Sequence, residues 1–130
     1  MDARFPQIHS GGRDFVIEEV GPRSARVRMK ANPRNTRPGG TISGVAMFAL
    51  ADFGVYVAII GSLGESGFEA VTSSLNINFL AKPEANDMTA LVKLMRVGRR
   101  LAVGEVELYS AGVPDMVAQA TANYALPAMR

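Results

Sequence analysis

Asp52 is the one charge in GVAMFALADFGVYVAII, residues 44–60, an almost unbroken apolar run. A carboxylate taken out of water without a partner is costly, and the ordinary outcome is a raised pKa or a polar partner. Residue type alone allows two readings. Asp52 is a structural residue bonded to a hydroxyl or amide of a neighbouring strand, or it is a general base or nucleophile. A second cluster, Lys93, Arg96, Arg99 and Arg100, surrounds Gly98. It reads as a solvated hairpin tip or as a clamp for phosphate, since arginine pairs with phosphate through a fixed fork of donors.

Other chemistries lack their residues. Cysteine is absent, which excludes disulfides, thiolate catalysis and zinc–thiolate sites. A single histidine, His9, argues against a transition-metal site, and no metal is expected. A Ser-His-Asp triad would have to recruit His9, which has no motif around it. RPGGTISG, residues 37–44, lacks the Lys-Ser/Thr pair that closes a P-loop. The net charge of +2 is too small to argue for nucleic acid, and no aromatics are interleaved among the basic residues.

The elements that must position Asp52 can be read from periodicity. Residues 14–20 read as a first strand. Residues 24–31, SARVRMKA, alternate Ala25, Val27 and Met29 with Arg26, Arg28 and Lys30, the pattern of a half-buried strand. Residues 32–41, NPRNTRPGGT, are expected to be loop. The apolar run is the helix, with Thr41 or Ser43 as N-cap and Gly61 and Gly64 as terminators. Its β-branched residues mean that burial, more than propensity, must hold it. Strands follow over 70–80, 88–97, 101–110 and 116–126. The first of these places Leu75, Ile77 and Phe79 on one face. The last places Ala118, Ala120 and Ala122 on one face, where small side chains let a helix approach closely.

The order is β-β-α-β-β-β-β within one domain, residues 1–130, with 48% hydrophobic residues to build its core. A helix apolar on every side cannot lie on a flat sheet with its back to water, so the sheet must curl around it or a second subunit must cover it. A membrane span is disfavoured, because the run is slightly short and a central Asp costs about 2.5–3.5 kcal/mol on insertion. The N-terminus, MDARFPQIHSGGRDF, does not read as a signal peptide, so a cytoplasmic protein is expected.

Four segments carry a resemblance. ISGVAMFALAD (42–52) resembles the His-Gly-Gly…Leu-Ala-Asp signature of the phenylacetyl-CoA (PaaI-like) acyl-CoA thioesterases. SLNINFLAKP (74–83), VGRRLAVGEVELYSAG (97–112) and VAQATANYALP (117–127) resemble the later strands of the same family, in the same order. The resemblance implies the hot-dog fold, an α+β architecture in which a curled antiparallel sheet of about six strands wraps one long central helix. It implies hydrolysis of an acyl-CoA to the acid and free CoA, with no cofactor beyond the CoA of the substrate. It implies a homodimer or dimer of dimers with shared sites; from the residues themselves, no nucleic-acid or membrane partner is expected.

By the same resemblance Asp52 aligns with the family's catalytic carboxylate and Gly44 with the glycine whose amide forms the oxyanion hole. Thr72 falls where a hydroxyl often stands near the attacking water, with Ser73 as the alternative if a bulge shifts the register. Arg37 falls near a polar position flanking the thioester, and Arg99 and Arg100 are candidates for the CoA phosphates. Two positions depart from the signature: Ser43 replaces its His, and Val45 its second Gly. A helix N-terminus and a carboxylate suit thioester chemistry, since one stabilises an oxyanion and the other activates water or attacks the carbonyl. Two alternatives stand beside this reading, and the residues argue against the first. A hydratase of acyl thioesters in the same fold would rely on a His near the helix, and none is there. A non-catalytic acyl-CoA binding or regulatory protein is compatible with the missing signature His.

Overall fold

The computed structural model describes residues 15–126; His9 lies outside them. Strands β1 (Phe15–Gly21) and β2 (Ser24–Met29) form a hairpin, and two short strands, β3 (Thr36–Arg37) and β4 (Thr41–Ile42), pair with each other. Helix α1 (Gly44–Leu63) and one 3₁₀ turn (Gly64–Gly67) follow, then β5 (Val71–Phe79), β6 (Met88–Val97), β7 (Leu101–Ser110) and β8 (Met116–Ala125). Six strands make one antiparallel sheet in the order β1-β2-β6-β7-β8-β5. It curls around α1, which is the hot-dog architecture.

Alternation decides which strand faces touch the helix. Ala25, Val27 and Met29 of β2 are buried, as are Met88, Ala90, Val92 and Leu94 of β6. Ala118, Ala120 and Ala122 of β8 are fully buried, so methyl-sized side chains let the sheet close on α1. The outer face of β2 is polar: Arg28 Nε donates to Glu18 at 2.7 Å and its Nη1 to Asp87 at 3.1 Å.

Ser43 is the N-cap of α1, its hydroxyl accepting from the Ala46 amide at 3.0 Å. Gly64, at φ +63°, ends the helix in a conformation that costs other residues a Cβ clash. Gly61 lies inside the helix instead of ending it, and Val20 of β1 packs where its Cβ would stand. Along its middle α1 turns one side fully into the core: Leu50, Val55, Val57, Ala58 and Ile59 have no exposed surface. By length and composition this helix could cross a membrane. Here it is the core of a sheet. Its N-terminal turns remain open, with Val45 81% and Phe48 41% exposed.

Residues 32–41 are mostly loop and turn, as expected, but they hold one two-residue hairpin, β3–β4, that the composition did not announce. Gly39 and Gly40 take positive φ values of 101° and 82°, which allows β3 to turn back onto β4. Buried Asn35 braces this segment: its Nδ2 donates to the Lys30 carbonyl, and its own carbonyl accepts from the Ser43 amide at 2.9 Å. The segment therefore delivers the start of α1 in a fixed place. Strand β5 carries a bulge between Thr72 and Ser74. It is an edge strand with most residues exposed, including Val71 at 61% and Phe79 at 52%.

Candidate active site

Asp52 projects from α1 toward the β5–β8 end of the sheet. Its Oδ1 accepts two hydrogen bonds, from the Thr72 hydroxyl at 2.6 Å and the Tyr124 hydroxyl at 2.7 Å. Tyr124 also lies 2.9 Å from the main-chain carbonyl oxygen of Asp52. Thr72 and Tyr124 stand opposite each other on β5 and β8, so one cross-strand pair supplies both donors. The bulge at Ser73 lets Thr72 join this row, as bulges re-aim side chains at strand ends. Ser73 itself turns away, its hydroxyl donating to the Asn123 carbonyl at 3.0 Å.

Burial and electrostatics keep the Tyr124 phenol protonated and a donor, against a smaller opposing effect of the Thr72 hydroxyl. Burial pushes the Tyr124 phenol well above its ordinary range, and the hydrogen bond to the Asp52 carboxylate pushes it further. Tyr56, one helical turn beyond Asp52, stacks on Tyr124 with centroids 6.3 Å apart and planes 19° apart. Its hydroxyl donates to the Phe68 carbonyl at 2.6 Å, and burial raises its phenol too.

Gly44 is the first residue of α1 and lines a separate pocket of about 250 Å³ with Arg37, Met47, Phe79 and Lys82. Amides of a first helical turn have no intrahelical acceptor, and the helix dipole adds partial positive charge there. Phe79 comes so close that a Cβ on Gly44 would meet its ring at 3.2 Å. Ser43 spends its hydroxyl on the N-cap, and Val45 faces outward beside Gly44. Asp52 does not line this pocket. The two stand eight residues apart on α1, a rise of roughly 12 Å at about 1.5 Å per residue.

One chain thus brings Asp52 and Thr72 together, and Gly44 with Arg37, at two different places. Arg99 and Arg100 are exposed on the β6–β7 hairpin tip. Ala102, two residues beyond Arg100, shares a row with Tyr124 and Thr72 across β7, β8 and β5, so the tip lies at the Asp52 end of the sheet. Tyr124 is the contributor that sequence reasoning missed. Its signal was present: it continues the inward-facing series Ala118, Ala120, Ala122 by one more step of two. Lys82 also lines the Gly44 pocket, and no sequence motif marks it. Among the described residues no group of three or more His, Cys, Asp or Glu could hold a metal ion.

Comparison with known proteins fits this architecture. Residues 39–116 match the family model described as the thioesterase superfamily. Among curated proteins no sequence match is found. The crystal structure of a candidate thioesterase from Silicibacter sp. TM1040 superposes with a TM-score of 0.81 at 38% identity, covering 95% of this chain and 84% of that one. A mutant of the phenylacetic acid degradation protein PaaI from Thermus thermophilus shares the fold at 23% identity and a TM-score of 0.77, over 94% of this chain and 99% of that one. A hypothetical thioesterase from Streptococcus pneumoniae, solved with coenzyme A, shares it at 23% identity and a TM-score of 0.79, over 91% and 89%. On the family match and the 38% relative, this chain belongs to the thioesterase superfamily and is a hot-dog member of it.

Proposed function

We propose that this protein is an acyl-CoA thioesterase acting as a homodimer, with Asp52 of one subunit and Gly44 of the partner subunit serving one substrate. Thioester hydrolysis is the reaction class of the superfamily. Acyl-CoA as substrate rests on the fold shared with the CoA-bound relative and on the basic hairpin tip. The observation that carries the reading is the Asp52 carboxylate, held by two hydroxyls at the half-open side of the core helix.

In this reading Asp52 takes a proton from water as the water oxygen bonds to the thioester carbon. The carbonyl electrons move to oxygen, where the Gly44 amide and the helix dipole stabilise the charge. Collapse breaks the C–S bond, and the proton held by Asp52 passes to the departing sulfur, giving the acid and the CoA thiol. Direct attack by the carboxylate, through an anhydride that water then opens, uses the same residues. Arg37 flanks the thioester, and Arg99 and Arg100 meet the CoA phosphates.

Sharing between subunits follows from the spacing. Oxyanion donor and base must each act within about 3 Å of one reacting group, and the helical rise between Gly44 and Asp52 exceeds that reach. The outer edge of β5, unpaired among the described residues, with exposed Val71 and Phe79, and the open turn of α1, with Val45 and Phe48, form the apolar surface such a partner would cover. Free-thiol release from a panel of acyl-CoAs, spanning straight chains and aryl acids, tests the function. Turnover supports it. Tight binding without thiol release would instead select a non-catalytic acyl-CoA binding protein.

A further inference from the structure

Among the described residues, both side-chain hydrogen bonds to the Asp52 carboxylate end on one oxygen, Oδ1, and none ends on Oδ2. Resting on the thioesterase reading, we propose that Tyr124 is a positioning residue of the reaction: with Thr72 it clamps Oδ1 so that Oδ2 is the oxygen offered to the attacking water or the thioester carbon.

The terminal torsion of an aspartate is broad and nearly two-fold, so an unclamped carboxylate exchanges its oxygens freely. Two donors on one oxygen remove that freedom. Holding a reacting group in its productive orientation lowers a barrier without any new contact to substrate. Tyr124 suits this task. It is 3% exposed, so its hydroxyl must find a partner, and it finds the carboxylate. The same hydroxyl lies against the main-chain carbonyl of Asp52, which ties the carboxylate to the helix that carries it. The stack on Tyr56 holds the ring in turn. The groups facing the carboxylate are therefore hydroxyls: Thr72 from β5 and Tyr124 from β8, with Tyr56 one turn along α1 engaged elsewhere. Tyr124 does not touch the substrate in this scheme; it acts through Asp52.

Tyr124→Phe keeps the ring and removes only the donor. The expected result is a kcat about tenfold lower with KM within about twofold and little change in melting temperature. A crystal structure of the variant should show the Asp52 carboxylate rotated or split between two conformers. Thr72→Val, at an exposed strand position, gives the same test from the other donor and stands in should Tyr124→Phe fold poorly. An unchanged kcat, a loss confined to KM, or a carboxylate that stays in place in the variant overturns the proposal. If the unaltered protein turns over no acyl-CoA, the thioesterase reading fails on its own. The carboxylate conformers in Tyr124→Phe then still decide whether Tyr124 clamps Oδ1, and a single unmoved conformer refutes that.

Discussion

Asp52→Asn exchanges one carboxylate oxygen for an amide nitrogen with almost no change in shape. The remaining oxygen can still accept from Thr72 and Tyr124, so the fold should survive. On the proposed mechanism a base or nucleophile is lost, and turnover should fall by about two or more orders of magnitude with an unaltered far-ultraviolet spectrum. Near-normal turnover would make Asp52 the structural residue that its hydroxyl partners also permit. Those partners were half legible. An apolar run with one carboxylate requires a polar partner, and Thr72 was a candidate by resemblance. Tyr124 was hidden because its polar tip sits at the end of an alanine-lined face that reads as packing alone.

At the scale of elements, the start of α1 and the β6–β7 hairpin can be tested separately. The Ser43 hydroxyl satisfies the Ala46 amide, and the residue that stands here for the signature His is thus committed to capping. Ser43→Ala should cost about 1 kcal/mol of stability, read as a lower urea midpoint, whereas Ser43→Gly should cost only about a few tenths. Equal stability of all three proteins would show that the cap contributes nothing. Arg99 and Arg100, replaced together by Ala, should raise the KM for acyl-CoA more than they lower kcat, because phosphates remote from the reacting carbon contribute uniform binding. The effect should shrink with a pantetheine thioester that lacks the nucleotide phosphates. Equal loss on both substrates would show that these arginines do not read phosphate.

For the molecule as a whole, the proposed shared site makes a prediction that one chain alone cannot satisfy. Gly44→Pro removes the amide hydrogen at a first helical position, where proline is tolerated, and the exposed Phe79 ring can yield to the added atoms. Homodimers of Gly44→Pro and of Asp52→Asn should both be nearly inactive. Mixed and allowed to exchange subunits, they should recover activity, up to about a quarter of the unaltered level, since half the dimers would be mixed and each would hold one intact site. Absence of recovery despite demonstrated exchange would place Asp52 and Gly44 of the same chain in one site.

Sequence by itself determined the long helix, the six main strands and the lone carboxylate. Strands β6 and β7 begin and end where alternation and the VGRR turn put them, and α1 is the almost unbroken apolar segment that only burial could stabilise. These are local properties, set by side-chain period and by caps and breakers. Tertiary structure alone decided which hydroxyls reach Asp52. Thr72 and Tyr124 lie 20 and 72 residues from it along the chain. Period two says which face of a strand a residue occupies. It does not say that β8 lies between β7 and β5, nor that a bulge at Ser73 sets Thr72 opposite Tyr124. Those facts come from closing the sheet on the helix, where strand order and register are chosen by the packing of the whole core.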